Sequence, residues 1–290
     1  MVTKAEVSNC LGEFRQGARL LPRCFWFVHP IEDHPGIAKA PLVETNTKVF
    51  GNSASRWRIE KQGRVEEEFL FETILPGCIL PFAVRGNDLI FLPLSVVEGR
   101  TSLMKSGELT RQGRLYAAKW TKDNEQAWRK WREDPMKTLL DEVDSDKALS
   151  MQNPERRLVV LYHPGPRSTA SLYVPKCQVQ GCNTNGFVAD HETHYYYAKT
   201  EEEGDYLSSV LNCLEKHAES RIPSFDATNS EHAALAQLGK ECRFAAEKCL
   251  QRNIKDVRNI RSAIRRITKN KLSEIAAILN TSILPSRITE

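Results

Sequence analysis

The sequence predicts an α+β fold with β-rich N-terminal and middle segments and a helical C-terminal region. Three observations carry this. Short aromatic and β-branched runs bounded by turn residues fill the N-terminal part, and a second set fills 157–199. From Glu201 onward the apolar spacing becomes helical. The expected organisation is a β-rich subdomain at 1–107, a charged linker helix at 108–152, a second β-rich segment at 153–200 and a helical region at 201–290.

The elements follow in order. RCFWFV (23–28) is a compact apolar run and RWRIE (56–60) alternates, so both read as strands. CILPFAV (78–84) and LIFLPLSVV (89–97) flank Arg85-Gly86-Asn87-Asp88, which predicts a hairpin. The prolines inside both arms place it at an edge or a bulge. YAAKWTKDNEQAWRKWRED is helical, and Trp120, Trp128 and Trp131 fall near one stripe ended by Pro135. Such a stripe is read as a seam packed on a neighbour in preference to a base-stacking surface. RLVVLYH (157–163), ASLYV (170–174), GFVAD (186–190) and THYYYAK (193–199) read as strands. Tyr206, Leu207, Val210, Leu211 and Leu214 share a helix face, with acidic residues at its start where the dipole favours them. Asn229 or Ser230 can cap the helix HAALAQLGKECRFAAEKCL.

Charge is unevenly placed. Residues 252–271 hold eight Lys/Arg and one Asp, a net of +7 against +4 for the whole chain, so the remainder sums to −3. On a helix, Ile254, Val257, Ile260, Ile264 and Ile267 share one arc, while Lys255, Arg258, Arg261, Arg265, Arg266 and Lys269 fall on the other. Such a helix can bury one face and offer guanidinium forks to phosphates. The alternatives are a solvated face balancing the acidic EEEGD segment, or a membrane-surface or partner helix; the arc lacks the Trp or Phe anchors of a membrane-surface helix.

Several function classes lose support. The apolar stretch Ile74 to Val97 is broken by Pro76, Pro81, Arg85, Asp88 and Pro93, so no transmembrane helix is expected. The start carries no apolar signal-peptide core, so a cytoplasmic location and reduced thiols are expected for the eight cysteines. Cys177 and Cys182 with His191 and His194 have irregular spacing for zinc, and a β-turn with two incidental thiols is preferred. No G-x-x-x-x-G-K-[ST], G-x-G-x-x-G or G-x-S-x-G string is present. No Asp/Glu-x-Lys triplet supports a metal-dependent nuclease centre. No catalytic constellation assembles.

The order of several stretches resembles the target-recognition region that follows the catalytic domain in adenine-specific DNA methyltransferases, including type IIG restriction–modification enzymes. The stretches are FRQGARLLPRCFWFV (14–28), RLVVLYHPGPRSTASLYV, FVADHETHYYYAKTEEEGDYLSSVLNCL and RIPSFDATNSEHAALAQLGKECRFAA (221–246). In that family a separate domain binds S-adenosylmethionine and grips a flipped adenine with an Asn/Asp-Pro-Pro-aromatic motif. The nearest string here, Asn153-Pro154-Glu155-Arg156, has Glu and Arg where that motif has Pro and an aromatic. The resemblance therefore implies a recognition module without its own catalytic half. Its partners would be double-stranded DNA and a separate methyltransferase or nuclease subunit, to which S-adenosylmethionine and Mg would belong. A protein-interaction or regulatory module derived from such a domain is the alternative. The basic helix would hold phosphates, and loops of the β-rich parts would read bases. Gln16, Arg19 and Arg23 are candidate readers for which a structural role is preferred; Arg56, Arg58 and Arg64 are alternatives.

Overall fold

The computed structural model describes residues 10–31, 39–51, 54–132, 134–164, 169–213, 222–252, 254 and 256–283. The fold is α+β, with strands mostly in the N-terminal and middle parts and helices at the C-terminal end.

The chain begins with a short strand, β1 (Arg15–Gln16), then β2 (Phe27–Pro30), β3 (Leu42–Thr45), β4 (Gln62–Arg64) and β5 (Leu70–Thr73). After β6 (Ile79–Leu80) and β7 (Ala83–Val84) come β8 (Asp88–Phe91), β9 (Leu94–Val97) and β10 (Arg100–Leu103). Strands β4, β3, β2, β8 and β5 form an antiparallel five-stranded sheet in that order. Alternation along its strands supplies two cores, as a two-residue period requires. Phe27, Phe71 and Ile90 face one side with Phe25 and Leu149; Val28, Leu70, Leu89 and Phe91 face the other. Three helices follow, α1 (Ser106–Arg111), α2 (Leu115–Trp131) and α3 (Leu139–Val143). Helix α2 serves both cores, giving Trp128 to the first and Ala117, Ala118 and Trp120 to the second.

The second sheet contains β11 (Val159–His163), β12 (Thr169–Tyr173) and, after the small hairpin β13 (Gln178–Val179) and β14 (Cys182–Asn183), β15 (His194–Tyr197). Its order is β1-β15-β11-β12, all antiparallel, so the N-terminal β1 pairs within the middle segment. Val160, Ala170, Leu172 and Tyr196 pack on the C-terminal helices, whereas Val159, Leu161, Tyr173 and Tyr195 meet Ile74, Ile79 and Phe187. The helices are α4 (Glu201–Cys213), α5 (Ser230–Leu250), α6 (Val257–Ile267) and α7 (Lys269–Ile278). The Asn229 side chain caps α5, accepting from the backbone N–H groups of Glu231 and His232.

Four expectations are corrected. The hairpin at Arg85–Asp88 does not form. Ile79–Leu80 instead folds back on Ala83–Val84 through Pro81 and Phe82, which takes a positive φ of 61°. Strand β8 lies inside the large sheet, ends before Pro93, and β9 pairs with β10. Pro81 and Pro93 lack the N–H that a ladder needs and so divide each arm. RCFWFV opens as a 3-10 turn at Arg23–Phe25 before the strand, and RWRIE holds a 3-10 turn at Ser55–Trp57 with no strand. Within GFVAD only isolated bridges form, Glu72 with Phe187 and Ala18 with Asp190.

Candidate nucleic-acid interface

Helix α6 is the sequence-predicted basic helix. Asp256 caps it, accepting from the Arg258 N–H at 2.6 Å. Ile260, Ala263 and Ile264 are buried and Val257 and Ile254 partly so, all within the helical core. The arc is shorter than expected. Ile267 is 37% exposed, because the helix ends there and buried Thr268 bonds back to Ile264 before α7 begins.

The basic arc divides by role. Arg258, Arg266 and Lys269 are exposed, and Lys255 lies outside the described residues. Arg261 is half-buried, and its Nη2 donates to the backbone oxygens of Ile79 at 3.1 Å and Gly77 at 3.4 Å. It fastens α6 to the chain entering β6. Arg265 is half-buried near Cys213, whose thiol burial pushes up to about 12 while the Arg265 charge opposes that rise. Lys271 pairs with Glu241 of α5. The acidic EEEGD segment does not balance this helix through these pairs. Its Asp205 is held by Arg243 of α5 through two bonds of 2.8 Å, and Glu201 by the same arginine at 3.1 Å.

The candidate readers in the β-rich part are mostly engaged by their own fold. Gln16 Nε2 donates to His191 O at 2.7 Å. Arg23 donates to Val49 O at 3.0 Å and lies 3.6 Å from Glu192. Arg64 donates to Ala40 O at 2.8 Å, and Arg58 to Gly51 O at 3.3 Å. Arg19 pairs with Glu142 at 2.8 Å yet keeps half its side chain exposed. Arg56 sets its guanidinium 5.4 Å from the Trp57 ring centroid.

Arg56 and Arg19 also line a cleft of about 450 Å³ with Trp57, Trp128 and Trp131. A second cleft of about 400 Å³ shares Arg19 and reaches Gln16, His191 and Tyr195. The tryptophan stripe of α2 therefore splits: Trp120 and Trp128 are buried, as a packed seam requires, but Trp131 is 49% exposed. Spacing along α2 could not reveal this cleft, because Trp57 arrives from a turn far away in sequence.

The second cleft lies by β1, one edge of the second sheet. Arg261 is bonded beside β6, which packs on β12 at the opposite edge.

Cys177 and Cys182 flank a tight hairpin whose turn residues Gln180 and Gly181 both have positive φ. Arg157 donates to Cys177 Sγ at 3.3 Å, while His191 lies 3.2 Å from buried Asp190. His163 Nδ1 donates to Glu192 O at 3.0 Å, and burial with the nearby His163 lowers the pKa of His194. Among the described residues, no three His, Cys, Asp or Glu side chains converge as a metal site. All eight cysteines are free thiols. Asn153 accepts from the Glu155 N–H at 3.0 Å, while Pro154 O accepts from Phe187 N–H, so this string builds a turn. No helix among the described residues is long and apolar enough to cross a membrane. No family model matches the chain, and no curated protein matches it.

Proposed function

We propose that this chain is a DNA target-recognition module that acts beside a separate adenine-specific methyltransferase or nuclease in the cytoplasm. Double-stranded DNA is its ligand; S-adenosylmethionine and Mg belong to the partner. The observation that carries the reading is the two-sided helix α6. Its apolar edge is locked into the helical core while Arg258 and Arg266 remain at the surface, joined by Lys269 at the start of α7. Cations held on a fixed helix can track phosphates without specifying bases.

Fluorescence anisotropy with a labelled duplex across a salt series tests this. Wild type should show a log K versus log[salt] slope of several units. Reversing Arg258, Arg266 and Lys269 together should flatten it by about 3 units, at roughly 0.9 for each phosphate no longer neutralised. Arg261 is left intact because it braces the fold. A wild-type slope near zero would refute DNA binding. Retained association with a methyltransferase subunit would then favour the protein-interaction reading, in which the cations of α6 and Lys269 of α7 serve a partner surface.

A further inference from the structure

The cleft between the Ser55–Trp57 turn and the end of α2 is not explained by packing alone. Trp57 stacks on Trp128 with ring centroids 5.6 Å apart and planes 25° apart. Phe25 closes the back, edge-on to both at 5.9 Å and 6.5 Å. These three rings belong to the first core of the large sheet. Trp131 does not: three residues after Trp128 on α2, it lines the same cleft and leaves half its surface in solvent. A half-exposed indole beside a stacked pair offers an aromatic wall that nothing in the described fold covers.

The charge around this wall is biased. Arg19, Arg56, Arg132 and Lys137 line the cleft against Asp134 and Glu142. Glu142 is matched by Arg19, and Asp134 also accepts from the Met136 N–H at 2.8 Å. The Lys137 carbonyl fixes the rim, receiving bonds from Arg132 at 3.0 Å and from the Trp128 indole at 3.4 Å. Lys137 itself is exposed. A surplus of cations beside aromatic faces selects a planar, anionic ligand and disfavours an ammonium guest. The volume suits a small planar group with its attachments, within the ~300–1,000 Å³ of such sites. A second cleft also has Arg19 in its lining.

We propose that this cleft binds an unpaired nucleobase of a nucleic-acid strand, stacked on Trp131, with its flanking phosphate held by Arg132, Lys137 and Arg56. The inference rests on the nucleic-acid reading above, but it concerns a different element from helix α6. Base–aromatic stacking tolerates any base, so the cleft adds affinity for opened or single-stranded DNA without specifying sequence.

The test uses labelled single-stranded oligonucleotides of equal length, one with bases and one abasic, together with an intact duplex and a free nucleoside monophosphate. Trp131→Ala should weaken binding of the base-bearing strand about 5- to 150-fold and leave the abasic strand unchanged. Lys137→Glu should weaken both strands, because it removes phosphate attraction. Both positions are exposed, and unchanged circular dichroism melts would show that the fold is retained. Equal binding of the base-bearing strand by wild type and Trp131→Ala overturns the proposal. So does wild type binding the abasic strand as tightly as the base-bearing one. A monophosphate that binds as tightly as the strand overturns the strand as the ligand. Duplex binding lost on reversing Arg258, Arg266 and Lys269, with no Trp131 effect on single strands, would sink this inference alone. Absence of binding to every nucleic acid would sink both readings.

Discussion

Lys61 places an amine where solvent is scarce. Its Nζ lies 3.8 Å from the Trp120 ring centroid, donates to Trp120 O at 3.4 Å and is hydrogen-bonded to Asn124 Oδ1. Burial pushes its pKa down to about 7; Asp123 and Cys24 oppose the shift and Lys119 reinforces it. The folded amine therefore releases its proton near neutrality, while the unfolded one holds it to the usual lysine range. Between those limits the unfolded chain binds more protons, so this group makes stability rise with pH across the window. Lys61→Met removes the titration. Its stability relative to wild type should be most favourable near pH 7 and become less so toward pH 10, with a slope no steeper than ~1.4 kcal/mol per pH unit. Urea melts at several pH values would read this, and a pH-independent difference between the two proteins would contradict it. Arg261 teaches a related lesson for the candidate interface. A cation on a basic helix can be occupied by main-chain oxygens of its own fold, and residue type alone does not distinguish that from a phosphate ligand.

Helices α4 and α5 approach so closely that one residue has no room for a side chain. A Cβ on Gly239 would lie 2.2 Å from Asp205 O and 3.3 Å from Ser209 Cβ. The Asp205–Arg243 pair spans the same crossing with both bonds at 2.8 Å. Gly239→Ala must push the helices apart, and it should destabilise by roughly 1–3 kcal/mol despite the higher helix propensity of alanine. A thermal melt checks this; an unchanged or higher midpoint would show that the crossing has slack. Local pattern made much of this legible in the sequence. The Asn229 cap and the apolar face of α4 from Tyr206 to Leu211 follow from composition and period, Leu214 lying outside the described residues; α6 begins at Val257, later than the basic run at 252 suggests. What failed was pairing at a distance. Nothing near 78–97 states that β8 should pair with β2 and β5 instead of the preceding arm. The alternation in RWRIE did place Trp57 and Ile59 against a core, but without a partner strand it could not become one. The tryptophan cleft was hidden for the same reason.

At the scale of the molecule, Glu72 joins parts that sequence patterns separate. It is fully buried in β5 of the large sheet. Its carboxylate accepts from the Tyr173 hydroxyl of β12, the Asn87 side chain and the Lys176 N–H, the last at 2.8 Å. Its backbone also bridges to the middle segment, donating to Gly186 O and accepting from Val188 N–H, both at 2.8 Å. Together with β1 in the second sheet, this crosses the boundary between the N-terminal and middle β-rich segments. Burial raises the pKa of Glu72 and the three donors resist the rise, so the group stays committed to these partners. Glu72→Ala leaves the donors buried without an acceptor, and the expected cost is about 3–5 kcal/mol. Glu72→Gln keeps the volume and one acceptor oxygen and should cost less. The tryptophans offer a way to see whether the loss is shared. All five lie at or before residue 131, whereas four α-helices are found among the described residues after Thr200. Tryptophan fluorescence therefore reports the N-terminal half, and far-ultraviolet circular dichroism is weighted toward the helices. If Glu72 couples them into one cooperative unit, Glu72→Ala should lower the urea midpoint equally by both probes. A midpoint that falls by fluorescence while the dichroism transition stays in place would show that the helical region unfolds independently.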